Sequence, residues 1–304
     1  MKRVSFIFLI LLGCFCAAQS HNIDTTYTVQ STFAKDRKQF PFIQIAKVQK
    51  DKNVVVEKEI VYNTNGFRPL HLDAYYSNNK SINPAVVLIH GGGWKSGNKS
   101  QMESMGLAMA EKGYSCFAVE YRLSPEAIYP AAVHDIKEAI QFIRKNANLY
   151  NVDESKVAIV GCSSGGQLAA LIGTTNTISE TAVQAVVDMD GILAFKHPDS
   201  EEGKVASLWL GGDNESKPEI WKEASALTHV NSKTPPILFI NSDKPRFHAG
   251  RDDMIAILNQ YAIYNEVKTI PNAPHSFWFY EPWFNTTIDY SVQFLNKVFK
   301  KYKS

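Results

Sequence analysis

From about residue 85 onward the chain repeats one pattern, a short unbroken apolar run followed by an amphipathic stretch. Ala85 to His90, Ser115 to Tyr121, Lys156 to Gly161, Val183 to Met189 and Pro236 to Asn241 are the apolar runs. Continuous runs of that length suit parallel strands buried on both faces. Between them, Met102 to Lys112 reads as a helix ended by Gly113. Ala131 to Asn146 is a second helix, with Ile136, Ile140 and Ile143 on one face. Gly165 to Ile172, Asp252 to Tyr264 and Ile288 to Tyr302 read as further helices, and Glu266 to Ile270 as a short last strand. Ahead of the repeat, Val54 to Tyr62 and Leu70 to Tyr76 flank Asn65-Gly66, the signature of an antiparallel hairpin. The alternation predicts an α/β fold over residues 53–304, a mostly parallel twisted sheet with helices on both faces. In such sheets the ligand sits beyond the carboxyl ends of the strands, so chemistry is sought at the strand tips.

The remaining segments read differently. Residues 1–18 have the form of a signal peptide: Lys2-Arg3, an apolar run from Val4 to Phe15, then Cys16-Ala17-Ala18 before Gln19. That run is short of the ~20 residues a membrane span requires, so an exported protein with no transmembrane span is expected, periplasmic or secreted. Leu11-Leu12-Gly13-Cys14 also resembles a lipoprotein box, which keeps a lipid anchor through Cys14 open. Residues 19–52 are polar and weakly patterned, an N-terminal arm without an assigned element. His197 to Glu223 is a second long polar stretch.

With 304 residues, 45% hydrophobic and 20% charged, the chain has the composition of an ordinary globular enzyme. Without Lys2 and Arg3 the basic residues number 30, equal to the 30 acidic ones. Such a balance offers no basic face for nucleic acid, and a monomer or small homo-oligomer is expected. After cleavage Cys116 and Cys162 remain. Their strand positions stand about 16 Å apart along the sheet at ~3.3 Å per residue, too far for a bridge, so both are expected as buried free thiols.

The strongest chemical signal is Gly161-Cys162-Ser163-Ser164-Gly165, set between an apolar strand and an Ala/Leu-rich helix. The pattern is weak alone and strong in a strand–turn–helix context, where the glycines let the backbone fold tightly and push Ser163 into the site. His90-Gly91-Gly92-Gly93-Trp94 follows another buried strand. With no side chains in the way, the Gly91 and Gly92 amides and that of Ser164 would hold an oxyanion. A phosphate-binding loop is excluded there, because Asn98 separates Gly97 from Lys99.

A serine hydroxyl needs a base, and His275 follows the last strand, where a loop reaches over its neighbours' tips. Among the other histidines only His248 competes, and it precedes a helix. The acid that would orient His275 stays open. Asp190 sits at the tip of an otherwise apolar strand, a costly place for a carboxylate without partners. Asp243 lies just beyond the tip of the penultimate strand, two positions before Pro245. Asp252 and Asp253 read better as the start of a helix. The aromatic run from Phe277 to Phe284, with Trp278, serves either core packing or stacking on sugar rings. Arg246, His248 and Arg251 could meet a substrate carboxylate, orient the acid, or sit in solvent.

The two glycine motifs, with Tyr121-Arg122-Leu123-Ser124-Pro125, Tyr129-Pro130-Ala131-Ala132 and Ser225-Ala226-Leu227-Thr228-His229-Val230, resemble the hormone-sensitive-lipase-type esterases of the α/β-hydrolase fold. The likeness is greatest to the branch with bacterial feruloyl, acetyl xylan and pectin esterases, and runs from about residue 58 to 300. It implies serine carboxylesterase chemistry on a carbohydrate ester, with no metal and no organic cofactor. The expected substrate is an O-acetyl group on a plant polysaccharide, with pectin methyl ester and feruloyl ester as alternatives. Trp94, Trp278 and Arg246 are the expected substrate contacts, in a shallow site formed by loops 91–100 and 277–284. A peptidase of the same fold is disfavoured for want of a cap domain. A catalytically silent carbohydrate-binding hydrolase fold is disfavoured because serine, histidine and glycine loop are all present. Pro245 departs from the resemblance and touches the acid, not the ester chemistry.

Overall fold

The computed structural model describes residues 26–66, 68–79, 81–175 and 178–301. The signal-peptide and lipoprotein-box segments lie outside these residues. In chain order the elements begin with α1 (Val29–Asp36), β1 (Gln44–Ile45), β2 (Val54–Asn63), β3 (Leu70–Ser77), β4 (Asn83–Ile89), α2 (Glu103–Glu111), β5 (Ser115–Val119) and α3 (Ala131–Lys145). They continue with β6 (Val152–Cys162), α4 (Ser164–Thr174), β7 (Ala185–Met189), α5 (Gly203–Leu210), α6 (Pro218–Glu223) and β8 (Ile237–Ser242). The last are α7 (Arg251–Gln260), β9 (Asn265–Ile270), β10 (Tyr280–Glu281) and α8 (Phe284–Lys301).

Eight strands form one sheet in the order β2-β3-β5-β4-β6-β7-β8-β9. The β2–β3 and β3–β5 pairs are antiparallel, and every pair from β5 to β9 is parallel. This is the mostly parallel sheet that the alternating pattern predicts, in the α/β-hydrolase arrangement that the resemblance implies. Side chains of a strand point to opposite faces by turns. Val87 and Ile89 therefore enter one core with α3 and α4, while Val86 and Leu88 enter the other with α2 and α8. Each such residue, wholly buried, contributes roughly 1.5–3 kcal/mol of transfer free energy. Register brings the tips together, because Ile89 pairs with Gly161 and Cys162 with Met189. Cys116 and Cys162 are free and buried. Val86 pairs with both Cys116 and Ala158, so the two thiols stand four positions and two strands apart.

Two segments read as featureless have structure. The polar stretch after His197 holds α5 and α6, anchored by buried Trp209, Leu210 and Trp221. The N-terminal arm is docked against the body of the protein. Its helix α1 opens with a capping box: the Ser31 amide donates to Thr28 Oγ1 (3.0 Å) and the Thr28 amide to Ser31 Oγ (2.9 Å). Its strand β1 pairs with β10 through Gln44–Glu281 and Ile45–Tyr280. Among the described residues, no helix is long and apolar enough to cross a membrane.

Candidate active site

Ser163 stands between β6 and α4 with φ +55° and ψ −123°. A non-glycine residue there stores about 1–3 kcal/mol of strain, and its surroundings enforce it. A Cβ on Gly161 would lie 1.9 Å from the Gly165 carbonyl oxygen, and one on Gly165 would lie 2.3 Å from that of Ile89. No other residue type fits either position. The Ser163 amide donates to the Met189 carbonyl at 2.7 Å, tying the turn to β7.

Ser163 Oγ is 2.9 Å from His275 Nε2, and His275 Nδ1 is 2.9 Å from Asp190 Oδ2. Asp190 is buried at the end of β7, and β8 supplies the partners a buried carboxylate requires. The Ser242 amide donates to Oδ1 at 2.8 Å and the Ser242 hydroxyl to Oδ2 at 2.7 Å. Of the four aspartates considered from the sequence, Asp190 is the one brought to His275. Asp243 is exposed and accepts the Asn272 amide at 3.3 Å. Asp252 pairs with Arg251 and Asp253 with His197, both in the first turn of α7. Pro245 opens a helical turn, Pro245–His248, which carries Phe247 onto the imidazole. The two rings stack at 3.5 Å between centroids and 13° between planes.

The glycine loop lies against this turn. A Cβ on Gly91 would meet the Cys162 carbonyl at 2.8 Å and Ser163 Cβ at 3.0 Å, so Gly91 permits the close approach. Gly92 has φ +133°, and a Cβ there would fall 2.0 Å from the Ser96 carbonyl. His90 anchors the loop from below. It is buried, stacks on Tyr121 at 4.4 Å, and accepts the Tyr121 hydroxyl on its carbonyl at 2.8 Å. Burial lowers its pKa from 6.5 to about 4.

Two cavities meet at Ser163. A cleft of roughly 550 Å³ has Gly92, Gly93, Ser163 and His275 at its floor, and α1 of the arm forms one wall. A pocket of roughly 40 Å³ is lined by Gly93, Trp94, Ser163, Ser164, Ile192 and Phe247, among others. Gly92 and Ser164, picked from the sequence for their amides, thus border the cavities. Gly91 lines neither, and Gly93, which was not picked, lines both. The signal that could have found Gly93 is its place as third glycine of the run, at φ +60°.

A family model named BD-FAE matches residues 72–249, more than half of the chain. The chain belongs to the BD-FAE family. It is 28% identical over 204 residues to Esterase LipC of Mycobacterium tuberculosis, a match covering 61% of this chain and 49% of that protein. The chain spans about half the length of this and two further mycobacterial relatives. Among solved structures, a truncated carbohydrate esterase from gut microbiota superposes with a TM-score of 0.71 at 22% identity, over 83% of this chain and 99% of that one. An acetyl ester-xyloside bifunctional hydrolase from Caldicellulosiruptor lactoaceticus gives 0.67 at 19% identity, over 83% and 98%.

In this BD-FAE chain the matched segment contains Ser163, Asp190 and the glycine loop, while His275 and the arm lie outside it. Of the three side chains expected to touch substrate, Trp94 lines the small pocket, and Trp278 and Arg246 border neither cavity. Trp94 is buried, donates its indole N–H to Gln167 Oε1 (2.8 Å) and stacks on Trp209 at 5.1 Å. It closes the small pocket and offers no open face to a sugar. Trp278 is buried in the core beneath His275, its ring edge-on to the imidazole at 5.1 Å. Most of the Phe277–Phe284 run is likewise core, because the closing helix α8 covers it. The arm replaces that loop as the cleft wall. Arg246 is held by Glu201 (2.9 Å) and Glu202 (3.2 Å), with its guanidinium over Phe247, and does not line the cleft. Among the described residues no group of His, Cys, Asp and Glu is arranged to hold a metal ion.

Proposed function

We propose that this chain is a serine esterase that removes short acyl groups, O-acetyl above all, from a carbohydrate. The observation that carries the reading is the chain of contacts Ser163–His275–Asp190 at 2.9 Å each, opening on a pocket of roughly 40 Å³. One water needs about 10–15 Å³ on that measure. The pocket therefore takes an acetyl methyl and little more, whereas a feruloyl group would have to lie in the larger cleft.

In the proposed reaction Ser163 Oγ attacks the ester carbonyl carbon while its proton passes to His275 Nε2. Asp190 accepts the Nδ1–H and stabilises the imidazolium. The oxyanion is held by the amides of Gly92, Gly93 and Ser164 at the start of α4, with Gly91 serving only the close approach. The C–O bond breaks, and the leaving sugar oxygen takes the proton from His275. Water, deprotonated by His275, then attacks the acyl-enzyme, and acetate leaves as Ser163 regains its proton. A polysaccharide-acting role is supported by the two solved carbohydrate-ester relatives and by the cleft beside the acyl pocket. The pattern of residues 1–18 supports export, with acylation of Cys14 as the alternative form.

The test is hydrolysis of p-nitrophenyl acetate, butyrate and octanoate by wild type and Ser163→Ala. Acetate is expected to be preferred, with a loss of about 10⁴-fold or more in kcat for the variant. Equal rates for the two proteins would refute the esterase reading, and a preference for octanoate would refute the short-acyl assignment. Acetylated xylan against acetylated and methylated pectin then separates the polymers.

A further inference from the structure

The large cleft lies where the sugar end of an ester would rest, and its wall is a segment ahead of the residues matched by the family. The arm is held against the body of the protein by main-chain bonds and aromatic contacts. The Ala46 amide donates to the Phe279 carbonyl at 2.8 Å, Ser104 Oγ to the Ala46 carbonyl at 3.0 Å, and Gln101 Nε2 to the Tyr27 carbonyl at 2.8 Å. Phe33 packs on Tyr280 and Phe40 on Trp283, with ring centroids 6.0 and 5.9 Å apart. The arm is therefore a fixed wall, and Ser31, Lys35 and Gln39 stand exposed along the cleft.

Three ammonium groups from three separate segments border this cleft: Lys35 from α1, Lys95 from the glycine loop and Lys244 from the turn after β8. Two carboxylates share it. Glu202 is paired with Arg246 at 3.2 Å. Asp36 accepts the Tyr280 hydroxyl at 3.2 Å; burial raises its pKa, while the charges of Lys35 and Lys244 nearby act to lower it. With Glu202 taken up by Arg246, Lys35 and Lys244 outnumber the remaining carboxylate, Asp36, in a cleft otherwise lined mostly by hydroxyl, amide and aromatic groups. Hydroxyls and amides suffice for a neutral sugar, whereas converging cations raise the local concentration of an anion and fix its position.

We propose that this cleft is a subsite for a carboxylate-bearing sugar, in which Lys35 and Lys244 hold a uronate of the acetylated chain. The proposal rests on the esterase reading of Ser163 and narrows its substrate to acidic oligosaccharides. It is tested by kcat/KM on acetylated oligogalacturonides and on neutral acetylated xylo-oligosaccharides. The ratio of the two within each protein is the readout, so that any general loss of activity cancels. Wild type at low salt is expected to favour the acidic substrate by about tenfold, the reach of two partly exposed ion pairs. In the Lys35→Gln/Lys244→Gln variant the ratio falls at least threefold, and about 0.5 M NaCl lowers it in wild type by screening. A wild-type ratio near one, or a double variant that keeps the wild-type ratio, overturns the subsite and leaves the esterase standing. Loss of the esterase reading itself shows separately, as p-nitrophenyl acetate hydrolysis indifferent to Ser163→Ala.

Discussion

Replacing Asp190 by asparagine changes one atom of a buried side chain and leaves its volume intact. The carboxylate accepts from Ser242 N, Ser242 Oγ and His275 Nδ1 at 2.7–2.9 Å. The Ser242 amide meets Oδ1, whereas the Ser242 hydroxyl and His275 Nδ1 share Oδ2. An asparagine that keeps its oxygen on the Ser242 amide, a fixed donor, therefore turns its NH₂ toward the hydroxyl, which can rotate to accept, and toward His275. That NH₂ is a donor, so it forces Nδ1 to accept and moves the imidazole proton to Nε2. Nε2, 2.9 Å from Ser163 Oγ, then has no lone pair for the serine proton. The wrong tautomer in such a relay costs about 10⁴-fold in kcat, which at 1.36 kcal/mol per decade is about 5.4 kcal/mol of transition-state stabilisation. The assay is kcat for p-nitrophenyl acetate at pH 7.5, beside Asp243→Asn, with circular dichroism to check the fold. Asp243→Asn is expected within about twofold of wild type, since Asp243 is exposed and the bond it accepts, from the Asn272 amide, is one an asparagine oxygen can keep. An Asp190→Asn protein retaining more than about a tenth of wild-type kcat would refute the assignment, and with it the tautomer argument.

Three further outcomes are expected. Gly92→Ala puts a methyl 2.0 Å from the Ser96 carbonyl at a φ of +133°, and should lower kcat at least a hundredfold by displacing the oxyanion amides; near-normal activity would place those amides elsewhere. Phe247→Ala enlarges the acyl pocket and exposes the imidazole face it covers, so p-nitrophenyl butyrate should gain on acetate in relative kcat/KM by about tenfold or more; an unchanged chain-length profile would move the acyl pocket. Burial keeps His90 neutral in the folded protein down to about pH 4, whereas the unfolded chain takes up that proton near 6.5. Stability present above pH 6.5 is therefore lost as pH falls toward 4, by about 3 kcal/mol from this group. The Tm-against-pH slope in that window should flatten in His90→Gln, and an unaltered slope would exclude His90 as the source.

The sheet was legible because parallel strands buried on both faces have no polar positions, and Val86 to Ile89 or Val157 to Val160 admit few other roles. Ser163 and His275 were legible for a related reason, since turn glycines and a loop after the last strand mark where a fold of this type concentrates its chemistry. The acid resisted reading because Asp190 and Asp243 both sit at strand tips. What separates them is a partner from elsewhere, Ser242, which no local pattern reveals. The arm was illegible for a different reason. Its helix is eight residues long, too short to declare itself by periodicity, and its stability comes from Tyr280 and Trp283, some 240 residues away. Arg246 reads as available because the glutamates that hold it, Glu201 and Glu202, lie 45 and 44 positions before it in a polar stretch without evident pattern. The Phe277–Phe284 run could not be divided between core and surface without knowing that α8 would lie across it.

The strap formed by β1 and β10 is tied by main-chain bonds, and the arm around it by aromatic rings packed on Tyr280 and Trp283. Main-chain pairing is indifferent to which side chains the strand carries. Lys35 and Gln39, which line the cleft and whose side chains take no part in the cap or in these ties, are thus relieved of folding duty and can be rewritten without unseating the helix. Grafting a differently lettered arm onto the same sheet offers a way to retarget such an enzyme while its reacting groups stay untouched.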